Sequence, residues 1–136
     1  MQPEKVAEVR GWLVKAKDDI RGAEVDLGAV PPLLGDALFH CQQAAEKALK
    51  AFLTFHDCPF RKTHDLDVLA ASCEELEPGL SPLLLRAREL TPYAWRFRYP
   101  GDPQEPTEEE GRDALARAKD VVQVVLRVLP DDARPT

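Results

Sequence analysis

Three long segments of the sequence repeat apolar residues at alternating steps of three and four, and this spacing constrains the fold more than any other feature. Such spacing places the repeated residues on one face of an α-helix and leaves the other face polar. In the first segment, about residues 4–27, the apolar positions are Val6, Val9, Leu13, Ala16, Ile20, Ala23 and Leu27. The second segment covers about residues 34–56, and the last runs from Leu115 to Leu129. Each segment predicts an amphipathic helix.

Proline-containing breaks separate the predicted helices, because proline removes a backbone donor and clashes with the preceding turn. A shorter third helix is expected to begin near Thr63, which would cap it, and a leucine-rich fourth segment covers about residues 81–90. Thr107 and Glu110 have the spacing of a capping box, which marks the start of the last helix. No segment indicates a strand. The sequence therefore predicts an all-α fold, an up-and-down bundle of four to five antiparallel helices.

Length, charge and cysteine usage narrow the class of protein. The 136 residues fit a single domain, 1–136, whose polar tail at 130–136 is expected to fray. A formal net charge of −6 argues against non-specific DNA binding, which needs surplus Lys and Arg. No apolar run has the length of a membrane span, and the N-terminal sequence lacks the pattern of a secretory signal. Three cysteines without a Cys-x-x-Cys pair indicate reduced thiols, so we expect a cytoplasmic location.

A strip of polar residues runs beside the apolar face of the second predicted helix. The strip consists of Asp36, His40, Gln43, Lys47 and Lys50, and Phe39 lies on the neighbouring polar face. The strip is either a solvated surface or the part of the helix that lies under another helix or subunit. The spacing alone leaves both interpretations open.

Two further stretches concentrate groups that bind anions. The cations of Arg61-Lys-Thr-His64 precede a predicted helix N-terminus, where free backbone N–H groups already favour negative charge. The segment Tyr93-Ala-Trp-Arg-Phe-Arg-Tyr99 alternates aromatic and arginine side chains. Such a mixture can stack on bases and pair with phosphates, or it can form a buried aromatic corner.

The sequence offers little support for metal or nucleophilic chemistry. Its three histidines lack the spacing of metal ligands, so no metal site is predicted. His64-Asp65, with His40 upstream and Asp113 or Asp120 downstream, loosely matches the all-helical phosphohydrolases that bind metal through a His-Asp motif. No Ser or Cys has a signature typical of a nucleophile, and no glycine-rich phosphate loop is present.

Three of these segments, in this order, resemble the HEPN domain family: Phe39-His-Cys-Gln-Gln-Ala-Ala-Glu-Lys-Ala-Leu-Lys-Ala-Phe52, Lys62-Thr-His-Asp-Leu66, and Tyr93 with Arg98-Tyr-Pro100. The resemblance extends over nearly the whole chain. It implies an up-and-down helical bundle that is usually a homodimer and is often encoded beside a minimal nucleotidyltransferase. A nucleotide-associated role, often in a toxin–antitoxin pair, is therefore implied.

Many HEPN proteins are metal-independent ribonucleases in which an Arg, four to six intervening residues and then a His lie at a dimer cleft. None of the histidines here follows an Arg at that interval, and no His follows Arg96 or Arg98. We therefore expect a non-catalytic HEPN protein without a cofactor, which partners a nucleotidyltransferase and binds nucleotide or phosphate. The alternatives are a divergent ribonuclease using His40 or His64, a metal phosphohydrolase, and a purely structural role for the polar strip.

The resemblance and the three polar segments together suggest a ligand cleft at the dimer interface. The residues expected to line it are His40, Gln43, Lys47, Lys62, His64, Tyr93, Arg96, Arg98 and Tyr99. The two lysines and two arginines of this set are expected to contact phosphate, and one tyrosine to stack on a base. The remaining residues would orient them, and Phe39 would contact the second subunit.

Overall fold

The computed structural model describes residues 2–102 and 104–135. These residues form the helices α1 (Pro3–Gly28), α2 (Leu34–Phe55), α3 (Leu66–Leu76), α4 (Ser81–Arg88) and α5 (Glu108–Val128). Short 3-10 turns occupy Pro78–Leu80, Thr91–Ala94 and Asp131–Ala133, and the described residues contain no strand. The predicted all-α bundle is confirmed.

Helix α2 lies at the centre of the bundle, where it packs against α1, α5 and α3. Its small buried residues, among them Ala45 and Ala48, let the neighbouring helices approach closely. Phe52 and Leu49 are also buried and fill the space between the helices. Each such large apolar side chain contributes about 1.5–3 kcal/mol when it leaves water. The core is therefore built around α2, and polar groups on α2 must find partners on the helices that cover it.

The helix ends confirm one predicted cap and correct another. Thr107 and Glu110 form the predicted capping box of α5, with the Glu110 N–H donating to Thr107 Oγ1 at 3.0 Å. Thr63 was wrong as the cap of α3, which begins at Leu66 behind Asp65. The Asp65 carboxylate accepts from the Asp67 N–H at 2.9 Å, whereas Thr63 accepts from the Asp65 N–H. A charged acceptor two residues further on thus replaces the hydroxyl at the helix end.

The predicted frayed tail is also wrong for residues 130–135. Ala133 is fully buried, and the turn that carries it contacts α1. The Arg134 guanidinium donates to the carbonyl oxygens of Arg127 and Leu129, at the C-terminal end of α5. These carbonyls have no partner within the helix, so the arginine fixes the tail by capping α5. Thr136 lies outside the described residues.

The segment between α4 and α5 is held against the start of α2. A side chain at Gly35 would place its Cβ 2.9 Å from the Phe97 carbonyl oxygen, so this close approach requires glycine. The aromatic and arginine residues of 93–99 are thereby positioned beside the α1–α2 loop and the first turn of α2. Within the described part of the chain, no helix is both long and apolar enough to cross a bilayer.

Candidate functional site

The polar strip of α2 lies under α1, because a buried carboxylate of α1 binds two of its residues. Asp19 Oδ1 lies 2.8 Å from His40 Nδ1, and Lys47 Nζ donates to Asp19 Oδ2 at 2.6 Å. An ionised carboxylate only accepts hydrogen bonds, so His40 Nδ1 carries a proton in this pair. Of the two interpretations of the strip, contact with another helix is therefore confirmed for His40 and Lys47.

Two more carboxylates face the other nitrogen of the same imidazole. His40 Nε2 lies 3.6 Å from Asp36 Oδ2 and 4.0 Å from Asp26 Oδ2. The ring rests on the backbone of α1 at Gly22, where an added Cβ would lie 3.2 Å from three ring atoms. His40 is thus held in a groove of α1 between carboxylates on both of its edges.

The buried position of Asp26 makes its negative charge unfavourable. The pKa of this carboxyl is raised to about 6, first because burial penalises the charge. The neighbouring Asp36 carboxyl raises the pKa further, because the two groups can share a proton and because its negative charge opposes a second one, whereas His40 acts in the opposite direction. The other oxygens of this cluster have partners or solvent, but Asp26 Oδ2 is buried and makes no hydrogen bond within the described residues.

A second polar network lies further along α2 and anchors the loop before α3. Glu46 Oε1 accepts from Gln42 Nε2 at 3.2 Å and lies 2.8 Å from His64 Nδ1, while its Oε2 accepts from Lys50 Nζ at 3.1 Å. Gln42 also donates to the His64 carbonyl oxygen at 2.9 Å and accepts from Gln43 at 2.6 Å. Glu46 and Lys50 are almost fully buried, so this network is a paired, satisfied part of the interior.

Aromatic rings complete the environment of Lys50. Its ammonium lies 5.4 Å from the ring centroid of Trp12 and 5.7 Å from that of Phe60. Both distances are within the range of cation–π attraction. The cation is therefore compensated by Glu46 on one side and by two rings on the others, and no free charge remains for a ligand.

The 93–99 segment forms a surface of stacked aromatic rings and guanidinium groups. The Arg98 guanidinium lies 3.7 Å from the ring centroid of Phe39, and that of Arg96 lies 4.4 Å from the ring of Phe97. Tyr99 is 70% exposed and Trp95 is 55% exposed. A groove of about 370 Å³ borders this surface, and its lining includes Phe97 and Tyr99 together with the acidic residues Asp102 and Glu105. Of the two interpretations of this segment, the exposure of Trp95 and Tyr99 argues against a fully buried aromatic corner.

Two internal contacts hold this surface in place. Tyr93 donates from its hydroxyl to Glu110 Oε2 at 3.3 Å, and burial followed by the charge of Glu110 raises its pKa. Phe97 has a φ of 65°, a left-handed conformation that is uncommon for a side chain of this size. Its N–H donates to Asp102 Oδ2 at 3.1 Å, which supports that conformation. A residue other than glycine keeps such a conformation only where its surroundings hold it in place.

The predicted site residues therefore fall into separate groups of contacts. His40 and Lys47 bind Asp19, whereas Gln43 and His64 belong to the Glu46 network. The remaining predicted residues lie in the 93–99 segment, apart from Lys62, which is exposed before α3. The first and third groups meet where Phe39, under Arg98, lies 6.1 Å from the His40 ring centroid.

Sequence reasoning missed the acidic partners of the histidines. Asp19 and Asp26 lie seven residues apart on α1, beside the apolar positions Ile20 and Leu27. That spacing places both on one side of the helix, at the edge of the buried face, and is the signal that could have identified them. No comparable spacing identifies Glu46, because its partner His64 lies on the loop before α3 and not on a helix.

The loose match to a His-Asp phosphohydrolase is not supported by the contacts of its residues. His64 binds Glu46 rather than a second histidine, Asp113 pairs with Arg117, and Asp120 pairs with Arg86. Among the described residues, the group that could hold a metal ion is instead Asp26, Asp36 and His40. The sequence predicted no metal site. Asp36 and His40 lie four residues apart on α2, but Asp26 comes from α1, so spacing along the chain does not reveal the group.

The cysteines predicted to fill the core do so. Cys41 and Cys73 are fully buried, and burial raises the pKa of each thiol to about 12. A thiol with such a pKa carries almost no thiolate at neutral pH and is a poor nucleophile.

The comparison with protein families agrees with the fold and with the quoted motifs. The HEPN domain family matches residues 9–128, which is nearly the whole chain and includes α2, the loop before α3 and the 93–99 segment. No curated protein and no solved structure is significantly similar to the chain. With an all-helical bundle and a family match of this extent, the chain belongs to the HEPN domain family.

Proposed function

We propose that this chain is a non-catalytic HEPN protein of the cytoplasm. In this proposal it forms a homodimer, partners a minimal nucleotidyltransferase in a toxin–antitoxin-like module, and binds a nucleotide or phosphate at the dimer cleft. The observation that carries the non-catalytic part is the surroundings of His40, which contain carboxylates where a ribonuclease of this family needs an arginine.

His40 is poorly suited to act on RNA. Asp19, Asp26 and Asp36 all lie within 4.0 Å of its ring nitrogens. Among the described residues, Lys47 is the one lysine or arginine that pairs with these carboxylates, and it is bound to Asp19. A phosphodiester approaching this imidazole would meet negative charge, which raises the free energy of the complex at short range. General acid–base catalysis of RNA cleavage needs the opposite environment, with a cation beside the reacting phosphate.

The surface formed by Arg96, Arg98, Tyr99 and Trp95 supports the binding part of the proposal. Exposed aromatic rings can stack on a base, and guanidinium groups can donate two parallel hydrogen bonds to a phosphate. Arg98 stands over Phe39 and donates one N–H to the Ala94 carbonyl oxygen at 3.5 Å, but it has no ion pair to a described carboxylate, so its other donors remain available to a ligand. Of the four cations expected to contact phosphate, Lys47 is paired with Asp19. The proposal therefore places the phosphate contacts on Arg96, Arg98 and the exposed Lys62.

Exposed apolar side chains near the same groove support a dimer. Val30 is 98% exposed and Leu33 is 55% exposed in the α1–α2 loop, and Pro32 of this loop lines the groove together with Tyr99. Apolar residues grouped in this way are typical of surfaces that a second chain covers. We expect Leu33→Asp to shift the mass measured by light scattering from dimer to monomer, while Leu85→Asp, also exposed but on α4, leaves it unchanged. A monomeric wild-type protein would contradict the dimer.

Calorimetric titration tests nucleotide binding. We expect binding of at least one nucleoside mono- or triphosphate, weakened at least about tenfold by Arg98→Ala, because a charge-assisted contact to phosphate contributes about 1.5–3 kcal/mol. Arg127→Ala is the matched control, since Arg127 is an exposed arginine on α5, outside the 93–99 surface. Absence of heat with every nucleotide would remove the binding part of the proposal.

Reconstitution tests the partner. The chain would be mixed with a minimal nucleotidyltransferase encoded beside it, and the complex measured by size-exclusion chromatography with light scattering. A stable complex of defined stoichiometry is the expected result. Separate elution of the two proteins at micromolar concentration would remove the partnership and leave nucleotide binding as an independent question.

One contact favours a second candidate function, a divergent ribonuclease using His64. Buried Glu46 holds His64 Nδ1 at 2.8 Å while the imidazole is 68% exposed, which is how a carboxylate orients a general base. The exposed cations Arg61 and Lys62 precede it in the chain. If purified protein cleaves a mixed RNA substrate and His64→Ala abolishes that cleavage, this candidate replaces the non-catalytic one. RNA left intact over hours excludes it.

A further inference from the structure

Three atoms that commonly ligate metals converge where α1 meets the first half of α2. His40 Nε2, a carboxylate oxygen of Asp26 and a carboxylate oxygen of Asp36 all lie within 4.8 Å of one another. They come from two different helices, so packing of the bundle brings them together. An acidic cluster alone is common at protein surfaces, and two further features separate this one from an ordinary acidic patch.

The first feature is a buried carboxylate oxygen without a partner. The Asp26 side chain is only 10% exposed, and its Oδ2 makes no hydrogen bond to another described residue. The nearest ring nitrogen, His40 Nε2, is 4.0 Å away, which is too far for a hydrogen bond. In the described parts of the chain, no lysine or arginine lies within ion-pair distance of Asp26 or Asp36. A buried oxygen of this kind is costly unless something positive occupies the space in front of it.

The second feature is the orientation of His40. Its Nδ1 proton points to Asp19, so the lone pair of the neutral imidazole is on Nε2 and faces Asp26 and Asp36. A carboxylate that accepts from one ring nitrogen while the other nitrogen holds a metal is the usual support of a histidine ligand. Lys47 neutralises Asp19 on its other oxygen, so Asp19 can orient the ring without adding to the charge that faces the cluster.

We propose that Asp26, Asp36 and His40 bind one divalent first-row transition ion, of the kind that Zn²⁺ and Mn²⁺ represent. Two ligands of a tetrahedral Zn²⁺ lie about 3.4 Å apart at bond lengths of about 2.1 Å. The separations of 3.6 and 4.0 Å from His40 Nε2 need only a small contraction to reach that value. Water completes the coordination on the exposed side, where 59% of the Asp36 side chain is open to solvent.

The ligand set predicts an order of affinity. One imidazole nitrogen with two carboxylates suits Zn²⁺ and Mn²⁺, whereas Mg²⁺ prefers oxygen ligands alone and keeps its waters. The expected order is therefore Zn²⁺, then Mn²⁺, then Mg²⁺. The site goes beyond the proposed function and does not depend on it. The proposed phosphate contacts are Arg96, Arg98 and Lys62, and none of these is a ligand of the metal site.

Metal titration of the chelator-treated, full-length chain tests the site. Zn²⁺ binding would be followed by calorimetry, and Mn²⁺ binding by the loss of the electron paramagnetic resonance signal of the free ion. We expect one ion per chain, with affinity reduced at least about tenfold by Asp36→Asn and by Asp26→Asn. Asp36 is largely exposed, so the Asp36→Asn variant is expected to fold normally. Asp18→Asn is the matched control, since Asp18 is an exposed carboxylate next to Asp19.

The alternative is that a proton, rather than a metal ion, occupies the space between the two carboxyl groups. In that case neither Zn²⁺ nor Mn²⁺ binds below about 1 mM, and the proposal is overturned. It is also overturned if binding occurs but neither Asp36→Asn nor Asp26→Asn weakens it, because the ion then lies elsewhere. Mn²⁺ is the more decisive probe, since its low affinity for thiols excludes binding at the partly exposed Cys58.

Asp19 acts as a positioning residue for this site. Asp19→Asn is expected to weaken metal binding by about 10–100-fold, although Asp19 does not touch the ion. The ring tautomer distinguishes this role from a merely structural one. In nitrogen-15 spectra of the metal-free protein the His40 proton should be on Nδ1, and Asp19→Asn should remove that preference. An unchanged tautomer would show that Asp19 does not orient the ring.

Discussion

His40 and His64 each place Nδ1 2.8 Å from a carboxylate oxygen of another structural element, yet the two pairs have opposite surroundings. In the His64 pair, Glu46 also accepts from Lys50 and Gln42, so each oxygen has a donor. The imidazole itself is mostly in solvent. This pair joins the loop before α3 to α2, and its charges are balanced without any ligand.

The His40 pair is balanced on one side only. Lys47 offsets the charge of Asp19, but Asp26 and Asp36 face the opposite edge of the ring with no cation. The comparison shows that a histidine–carboxylate hydrogen bond does not by itself indicate one structural or functional role. The groups around it decide whether the pair stabilises the fold or favours the binding of a cation.

The largest expected effect concerns the balanced pair. Glu46→Ala leaves Lys50, whose side chain is only 8% exposed, as a buried charge without its carboxylate. Removing one member of a buried ion pair costs about 3–5 kcal/mol, and we expect the free energy of unfolding measured in urea to fall by that amount. Glu75→Ala, an exposed position on α3, is the control and should change it by less than about 0.5 kcal/mol. A similarly small loss for Glu46→Ala would mean that the pair does not stabilise the fold.

Removing a charge beside the unbalanced His40 pair should have the opposite effect and increase the free energy of unfolding. The folded pKa of Asp26 is about 6, above the ordinary value of 3.8, so the fold disfavours its charged form. The stability associated with the protonated group is fully present below pH 4 and is lost as the pH rises through 6. Asp26→Asn removes this loss and, with chelator present at pH 7.5, should stabilise the protein by about 1–3 kcal/mol.

Thermal unfolding at a series of pH values measures this effect. The difference between wild type and Asp26→Asn should be small at pH 4 and should grow toward pH 7. Asp18→Asn, with its exposed carboxylate, should follow the wild-type curve throughout. Destabilisation by Asp26→Asn at pH 7.5 would contradict the assignment of Asp26 as an unfavourable buried charge.

The sequence predicted those features that local spacing determines. Val9, Leu13 and Ala16 recur at helical intervals and are fully buried, and the Thr107–Glu110 capping box closes within one helical turn. In both cases the relevant residues are close in the chain, so their spacing in the sequence is sufficient to predict the structural feature.

The sequence could not predict which carboxylate meets which histidine. Asp19 and His40 are 21 residues apart, and Glu46 and His64 are 18 apart, so each pair depends on how two elements rotate and dock. Gln43 looked like a surface residue from its spacing, but it is almost fully buried and donates to Gln42. The resemblance to HEPN proteins indicated the important segments without indicating their partners.

A smaller effect is expected for the exposed member of the balanced pair. His64→Ala removes one donor of Glu46 but leaves Lys50 and Gln42 in place. The loss of a single hydrogen bond to a carboxylate that keeps its other donors costs about 0.5–1.5 kcal/mol in the free energy of unfolding. Metal binding at Asp26, Asp36 and His40 should be unchanged. A loss as large as that of Glu46→Ala would mean that the two networks are less separate than their contacts indicate.

The smallest expected effect concerns two glycines of α1, Gly11 and Gly22, which differ in the atoms that an added Cβ would meet. Alanine in place of glycine inside a helix stabilises it by about 0.5–1 kcal/mol, and Gly11→Ala should do so because an added Cβ there meets no atom within 4 Å. At Gly22 the Cβ would lie 3.2 Å from three atoms of the His40 ring, which must move by a few tenths of an ångström. We expect this displacement to cancel the gain, so that Gly22→Ala leaves the free energy of unfolding within about 0.5 kcal/mol of wild type while Zn²⁺ binding weakens. Equal stabilisation by the two variants, with Zn²⁺ binding intact, would show that the imidazole is not held against α1 and that the two histidine pairs are more alike than their surroundings suggest.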